Sequence, residues 1–399
     1  MSRDRRAVSV AFLAFGAVVG SWVPRLPALK DHLNLSDGQV GYALLAFATG
    51  AVIGAAIGRI VLARGARGWV RGGTVAISAS LLGPALAGSF VQLFISLVLL
   101  GVCAGFIDML ENAQAAELER TAGRPLINGF HGFWSLGAFV GALVAGGAAF
   151  AGVAPLPQFA LAAIVAGAGS AFFLRDLPDT RAGARRAAPG GAGRYWLTGF
   201  VIAIAAIAFC SILVEGGGAD WSSLYLREFS HADPGIAAGG FAAFALAAAL
   251  VRFRADLLTA HTSPAVVARL GGLTAALGLA LAIGVPALPG AIIGFALVGI
   301  GTSVLVPLAF SAGANLGASG TALALVLAVG YAGSIAGPAM IGTAADHIGL
   351  RIALGIPLAA SLVIIALAGS LQRAPVTPSG SDAGPAEPAG PAVGRVSGW

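Results

Sequence analysis

Apolar stretches of about 20 residues, studded with glycine, recur along the whole chain and are separated by short segments that carry most of its arginines. An α-helix needs about that length to cross about 30 Å of hydrocarbon at 1.5 Å per residue. The pattern predicts twelve such helices, over residues 7–28, 38–58, 72–90, 93–116, 128–150, 155–174, 196–219, 235–255, 264–286, 288–312, 320–343 and 350–371. Twelve crossings leave almost nothing of the 399 residues for a domain outside a membrane. The run after the basic segment Ser2 to Arg6 exceeds a signal-peptide core and has no small-residue cleavage site, so it is expected to remain a helix. The expected fold class is an all-α membrane protein of twelve transmembrane helices.

One polar, Gly/Ala/Arg-rich segment, residues 175–195, interrupts the apolar pattern midway. It divides the chain into a six-helix half at 1–174 and a second at 196–371, with a Pro/Gly/Ser/Ala tail at 372–399 too poor in large apolar residues to order itself. The halves echo each other: Gly20-Ser21-Trp22 precedes Leu26 as Ala219-Asp220-Trp221 precedes Tyr225. A second helix then follows Asp37-Gly38 in one half and Asp233-Pro234 in the other. Duplicated helical halves around a linker are a signature of secondary transporters. With the N-terminus inside, nineteen Lys and Arg fall on the cytoplasmic side against Arg25, Lys30, Arg227 and Arg351 opposite. That asymmetry predicts two cytoplasmic termini.

Composition narrows the class further. Hydrophobic residues make up 58% and charged residues 10%, with a mean hydropathy of +0.90, far from soluble usage. The 59 glycines suit helix contact in lipid, where small residues let backbones approach. The net charge of +6 is dispersed over loops and forms no stripe for nucleic acid. Cys103 and Cys210 lie inside apolar stretches and define neither a disulfide framework nor a metal site, and no cofactor is called for.

The layout resembles the major facilitator superfamily. Between the second and third helices, Gly58, Gly65 and Arg67 match that family's Gly-x-x-x-Asp-Arg-x-Gly-Arg-Arg loop, while Leu62 and Ala63 replace its Asp and Arg. The second-half copy keeps Arg252 and Asp256 but has Val251, Ala255 and Leu257 elsewhere. Three further stretches resemble the fucose-permease-like branch, especially its uncharacterised bacterial inner-membrane members. They are Asn112-Ala113-Gln114 with Gly123-Arg124-Pro125 through Phe130-His131-Gly132, Glu215 through Arg227, and Tyr331 through Gly337-Pro338. The resemblance implies a multi-pass transporter of a small solute in a bacterial cell membrane. It also implies alternating access by rocking of the two halves, with protons as the coupling ion. In that branch a protonatable acid precedes the Asn by four residues, as Asp108 precedes Asn112.

Ionisable groups inside membrane helices are costly and therefore functional candidates. Asp108 heads the set for proton coupling, its bland alternative being a structural acid paired to Arg120, Arg124 or a backbone group. Glu215 is the second coupling candidate. It stands before Gly216-Gly217-Gly218, a triplet expected to break its helix as Gly16, Gly20, Pro24 and Pro27 interrupt the first. Matching broken helices point to a transporter's binding site. Substrate candidates are Trp22, Asn112, His131, Trp134, Trp221, Thr302 and Tyr331, the tryptophans being either stacking platforms or interface anchors. Ser303, Tyr42 and Asn315 are polar enough to join them. Arg25 with Asp220 is expected to form an outer gate or salt bridge, and Arg67 and Asp256 belong to the loop motifs. The expected cavity is lined by spans 1, 4, 5, 7, 10 and 11.

The leading function is proton-linked secondary transport by a monomer, symport of a sugar-like or other polar solute edging ahead of export of a drug-like compound. A polytopic enzyme would need clustered His, a nucleophile motif or a phosphate loop, and the five scattered His residues supply none. A channel would need charge rings or a carbonyl filter, and a sensor on the same fold is separable only by a transport assay.

Overall fold

The computed structural model describes residues 2–180, 199–285, 287–316 and 320–372, and those residues form helices joined by short turns, with no strand among them. In chain order the helices are α1 (Arg3–Trp22), α2 (Leu26–Leu33), α3 (Asp37–Val61), α4 (Arg67–Ser80), α5 (Leu82–Leu86), α6 (Phe90–Ala122), α7 (Ile127–Phe150) and α8 (Pro155–Phe173). The second half continues with α9 (Gly199–Phe229), α10 (Pro234–Arg252), α11 (Ala255–Ala260), α12 (Pro264–Gly284), α13 (Leu288–Thr302), α14 (Leu305–Ala314), α15 (Thr321–Ile348), α16 (Leu350–Ala353) and α17 (Gly355–Leu367). Most of segment 175–195 and of the tail, including the arginines from Arg181 to Arg194 and Arg373 and Arg395, lies outside the described residues.

Ten segments among the described residues are long and apolar enough to span a bilayer, several of them two helices joined by a turn. The expected third span is instead α4 and α5, broken at Leu81, and α8 has a shorter apolar stretch, Pro155–Ser170. The fourth span is longer than its hydropathy implied: α6 runs 33 residues to Ala122, so Glu117 and Arg120 pair at 2.5 Å on a helix rather than in a loop. Glu119 accepts the free amides of Leu126 and Ile127 at 2.7 and 3.0 Å, filling acceptor positions that the first turn of α7 lacks.

Local chemistry sets the boundaries. Ser36 and Gln39 form a reciprocal capping box at the start of α3, and prolines occupy the first turns of α8, α10 and α12. The first span breaks where expected, into a 3-10 turn at Val23–Arg25 that holds Pro24 and is followed by Pro27 in the first turn of α2. The seventh does not: α9 is continuous through Gly216-Gly217-Gly218. A side-chain carbon at Gly218 would sit 2.6 Å from Val298, and one at Gly217 would sit 3.1 Å from Pro357. The triplet is a smooth face for α13 and α17 rather than a hinge.

The two halves meet along two seams. α7 packs on α10 along most of its length, from Gly132 beneath the Phe253 ring to Gly146 against Gly235 and Ala238. α3 closes on α15 at one end, where Gly41 meets Pro338 and Gly342. At that end Asp346 accepts from the Ser36 hydroxyl at 3.0 Å and the Gly38 amide at 2.9 Å. Lys30 adds a bridge between halves, donating to Asp37 and, at 2.5 Å, to Glu228. Farther along the same seam Val52 and Tyr331 are 39% and 45% exposed, so the helices part away from this latch.

Candidate functional site

Between the halves lies a cavity of about 460 Å³ walled by α1, α3, α6, α7, α9, α10 and α15. Close packing of α1 on α7 fixes one wall, because Gly16 and Gly20 lie against the carbonyls of Trp134 and Ala138 with no room for a side chain. That contact brings Trp22 and Trp134 to the same void, each edge or face against a phenylalanine: Trp22 with Phe47 at 5.2 Å and Trp134 with Phe15 at 6.1 Å. Phe241, Phe244 and Tyr331 continue the aromatic lining. Its hydroxyls are Ser135, Ser334 and Tyr331, and its ionisable carboxyls are Asp108, Glu215 and Asp220.

The three acids sit in different surroundings. Asp108 accepts from the Asn112 amide at 3.0 Å, one helical turn on, and Asn112 in turn faces His131 Nε2 at 3.1 Å, a short polar chain leading from the cavity wall to α7. Among the described residues no arginine pairs with Asp108. Glu215 forms an ion pair with Arg252 at 2.6 Å. Asp220 lines the wall one turn beyond Gly216 and forms no ion pair among the described residues.

Arg252 is the side chain beside the cavity whose place the sequence pattern missed. Counted as a loop charge at the end of an apolar stretch, it is buried to 9% exposure and ties three helices together. Its guanidinium donates to Ser135 Oγ on α7 at 2.5 Å, to Glu215 on α9, and to the Ser303 carbonyl at 3.4 Å, and it lies 5.9 Å over the Trp134 ring. The usable signal was the need of Glu215 for a cation inside the membrane.

Other expected residues are placed elsewhere. Span 10 does not reach the cavity: Thr302 is buried and donates to the Val298 carbonyl, and Ser303 donates to Ile300. Spans 2 and 8 line it instead, through α3 and α10. Trp221 is fully buried, as is Trp22, so neither anchors at a headgroup surface, and only Trp22 reaches the cavity. His131 and Asn112 stand behind the wall. Tyr42 and Asn315 are exposed away from it. Arg25 and Asp220 are not brought together: the 3-10 turn swings Arg25 to α7, where it donates to the Ala145 and Val153 carbonyls at 3.5 and 2.7 Å beside a smaller cavity of about 240 Å³. Arg67 donates to the Leu177 carbonyl at 2.6 Å, and Asp256 accepts from Asn128 across the halves at 2.6 Å.

A helical membrane protein whose halves enclose a central, acid-bearing cavity belongs architecturally to the solute transporters. Residues 8–318 match the model of the Major Facilitator Superfamily, and the chain is a member of that family and a membrane transporter of its type, not an enzyme. It is 32% identical to the uncharacterized transporter y4wD of Sinorhizobium fredii, covering 92% of this chain and 98% of that one. It is 29% identical to the membrane protein MosC of Rhizobium meliloti, covering 90% and 88%. Among solved structures, the nucleoside transporter NupG matches with a TM-score of 0.66 at 15% identity over 93% of this chain and 98% of that one. A D-xylose-proton symporter matches with 0.66 at 17% over 94% and 98%. At such identities the structural likeness establishes the fold alone.

Proposed function

We propose that the chain is a proton-coupled secondary active transporter that carries a small solute through the central cavity by rocking residues 1–174 against 196–371. On this reading α4–α5 and α8 complete twelve crossings, and the protein is a monomer in a bacterial inner membrane with both termini cytoplasmic. The latch of Lys30, Glu228 and Asp346 then closes the outer side, and the cavity opens inward. Arg67 and Asp256 lie at the inner end, where the family loops gate access. The observation that carries the reading is the presence of Asp108 in the cavity wall, hydrogen-bonded to Asn112 and, among the described residues, paired with no arginine. A carboxyl so placed loads and unloads a proton as the cavity faces one side and then the other. The likeness to the fucose-permease-like branch stays an expectation drawn from the motif residues.

Purified protein in liposomes, given a metabolite pool with and without an imposed pH gradient, tests the coupling. Asp108→Asn mimics the protonated side chain, so it should retain exchange of cargo and lose gradient-driven accumulation. Full accumulation by Asp108→Asn removes Asp108 from the mechanism.

A further inference from the structure

Three carboxyls line the cavity and no cation does, among the described residues. Arg252, Arg25 and Lys30 are already engaged. Arg252 is held by Glu215 and Ser135, Arg25 by two carbonyls beside the smaller cavity, and Lys30 by Asp37 and Glu228. Arg252 therefore balances Glu215, while Asp108 and Asp220 face the void without a counter-charge. A proton on Asp108 leaves Asp220.

The rest of the wall is apolar and aromatic. A sugar buried here would lose hydration at every hydroxyl, with Ser135, Ser334 and Tyr331 as the hydroxyl partners in the wall, and the Ser135 oxygen already accepts from Arg252. Aromatic faces beside an unbalanced carboxylate instead favour an ammonium group, through charge and through the ring quadrupole. Trp22, 1% exposed, adds an apolar ring surface to the wall.

We propose that the central cavity takes an organic cation: an ammonium group set against Asp220, with an aromatic or aliphatic body packed along Trp22, Phe241 and Tyr331. This rests on the transport reading for its purpose but not for its test, since binding needs no gradient. It replaces the sugar-like cargo that the sequence slightly favoured.

The experiment is equilibrium binding to the full chain in lipid nanodiscs with three matched probes. They are 2-(4-methoxyphenyl)ethylamine, its neutral alcohol counterpart 2-(4-methoxyphenyl)ethanol, and the anion 3-(4-methoxyphenyl)propionate, with D-glucose as a fourth ligand. The amine should bind at least about tenfold more tightly than the alcohol, and the anion and glucose should not compete. Asp220→Asn should erase the amine's advantage, and Asp220→Glu should restore most of it. An alcohol that binds as tightly as the amine, or a folded Asp220→Asn that keeps the full preference, overturns the assignment. The wild-type comparison alone decides it if Asp220→Asn fails to fold. Amine binding without gradient-driven uptake would instead refute proton coupling and leave the cation site standing.

Discussion

Removing the Arg252 guanidinium tests how the cavity is held together. In Arg252→Gln the Glu215 carboxylate loses its 2.6 Å partner, and Ser135 loses a 2.5 Å donor. Breaking a buried pair from one side costs about 3–5 kcal/mol, because the remaining charge is left uncompensated. Glu215 keeps 24% of its side chain exposed to the cavity, so water recovers part of that cost, and about 2–3 kcal/mol is the expected loss. The double variant Arg252→Gln with Glu215→Gln removes charge and counter-charge together, and should recover about half or more of the loss. Reversible unfolding of the purified protein in mixed micelles, followed through tryptophan fluorescence, gives all four corners of the cycle. Additive single and double effects, or a loss under about 0.5 kcal/mol for Arg252→Gln, would refute the idea that this pair anchors α10 to α9.

Glu111 offers a second stability test: it is fully buried on α6 and neither carboxyl oxygen finds a donor among the described residues, so Glu111→Met should stabilise the protein by about 1–3 kcal/mol in the same unfolding assay, and destabilisation would contradict that account. The latch between halves predicts a conformational shift. Glu228→Gln with Asp346→Asn removes both cross-half anchors, and spin labels at positions 32 and 231, with Cys103 and Cys210 replaced, should gain a longer-distance population; an unchanged distribution would show that packing of Gly41 on Pro338 alone holds this end shut.

The helices were legible in the sequence because hydropathy records what lipid demands of each segment by itself. The break at Pro24 and Pro27 was legible for a similar reason, since proline acts on its own backbone. The glycine triplet was not. Glycine permits a break but does not compel one, and α13 and α17 crowding against Gly217 and Gly218 decide for a straight helix. Asp108 was found through its spacing to Asn112, a contact within one helix turn. Arg252 was misread because its partners lie 37 and 117 residues away, and a charge at the end of an apolar run looks like a loop until the fold brings those partners in. The same limit misplaced Arg25, whose acceptors are backbone carbonyls that no residue pattern marks.

The unequal seams have a thermodynamic consequence. A contact that persists in two conformations adds the same free energy to both and drops out of the equilibrium between them. If the halves rock as proposed, α7 and α10, packed together from Gly132 to Gly146, form the seam with least to gain or lose when the cavity reverses, and would act as a spine. Sequence change along that spine would alter how well the protein survives, and leave the balance of its two states nearly untouched. The short closure of α3 on α15 is made at one end only, so each interaction there enters the balance in full. Selection for transport rate would therefore write itself on a few residues around Ser36, Gly41 and Asp346, and selection for durability on the other side of the molecule.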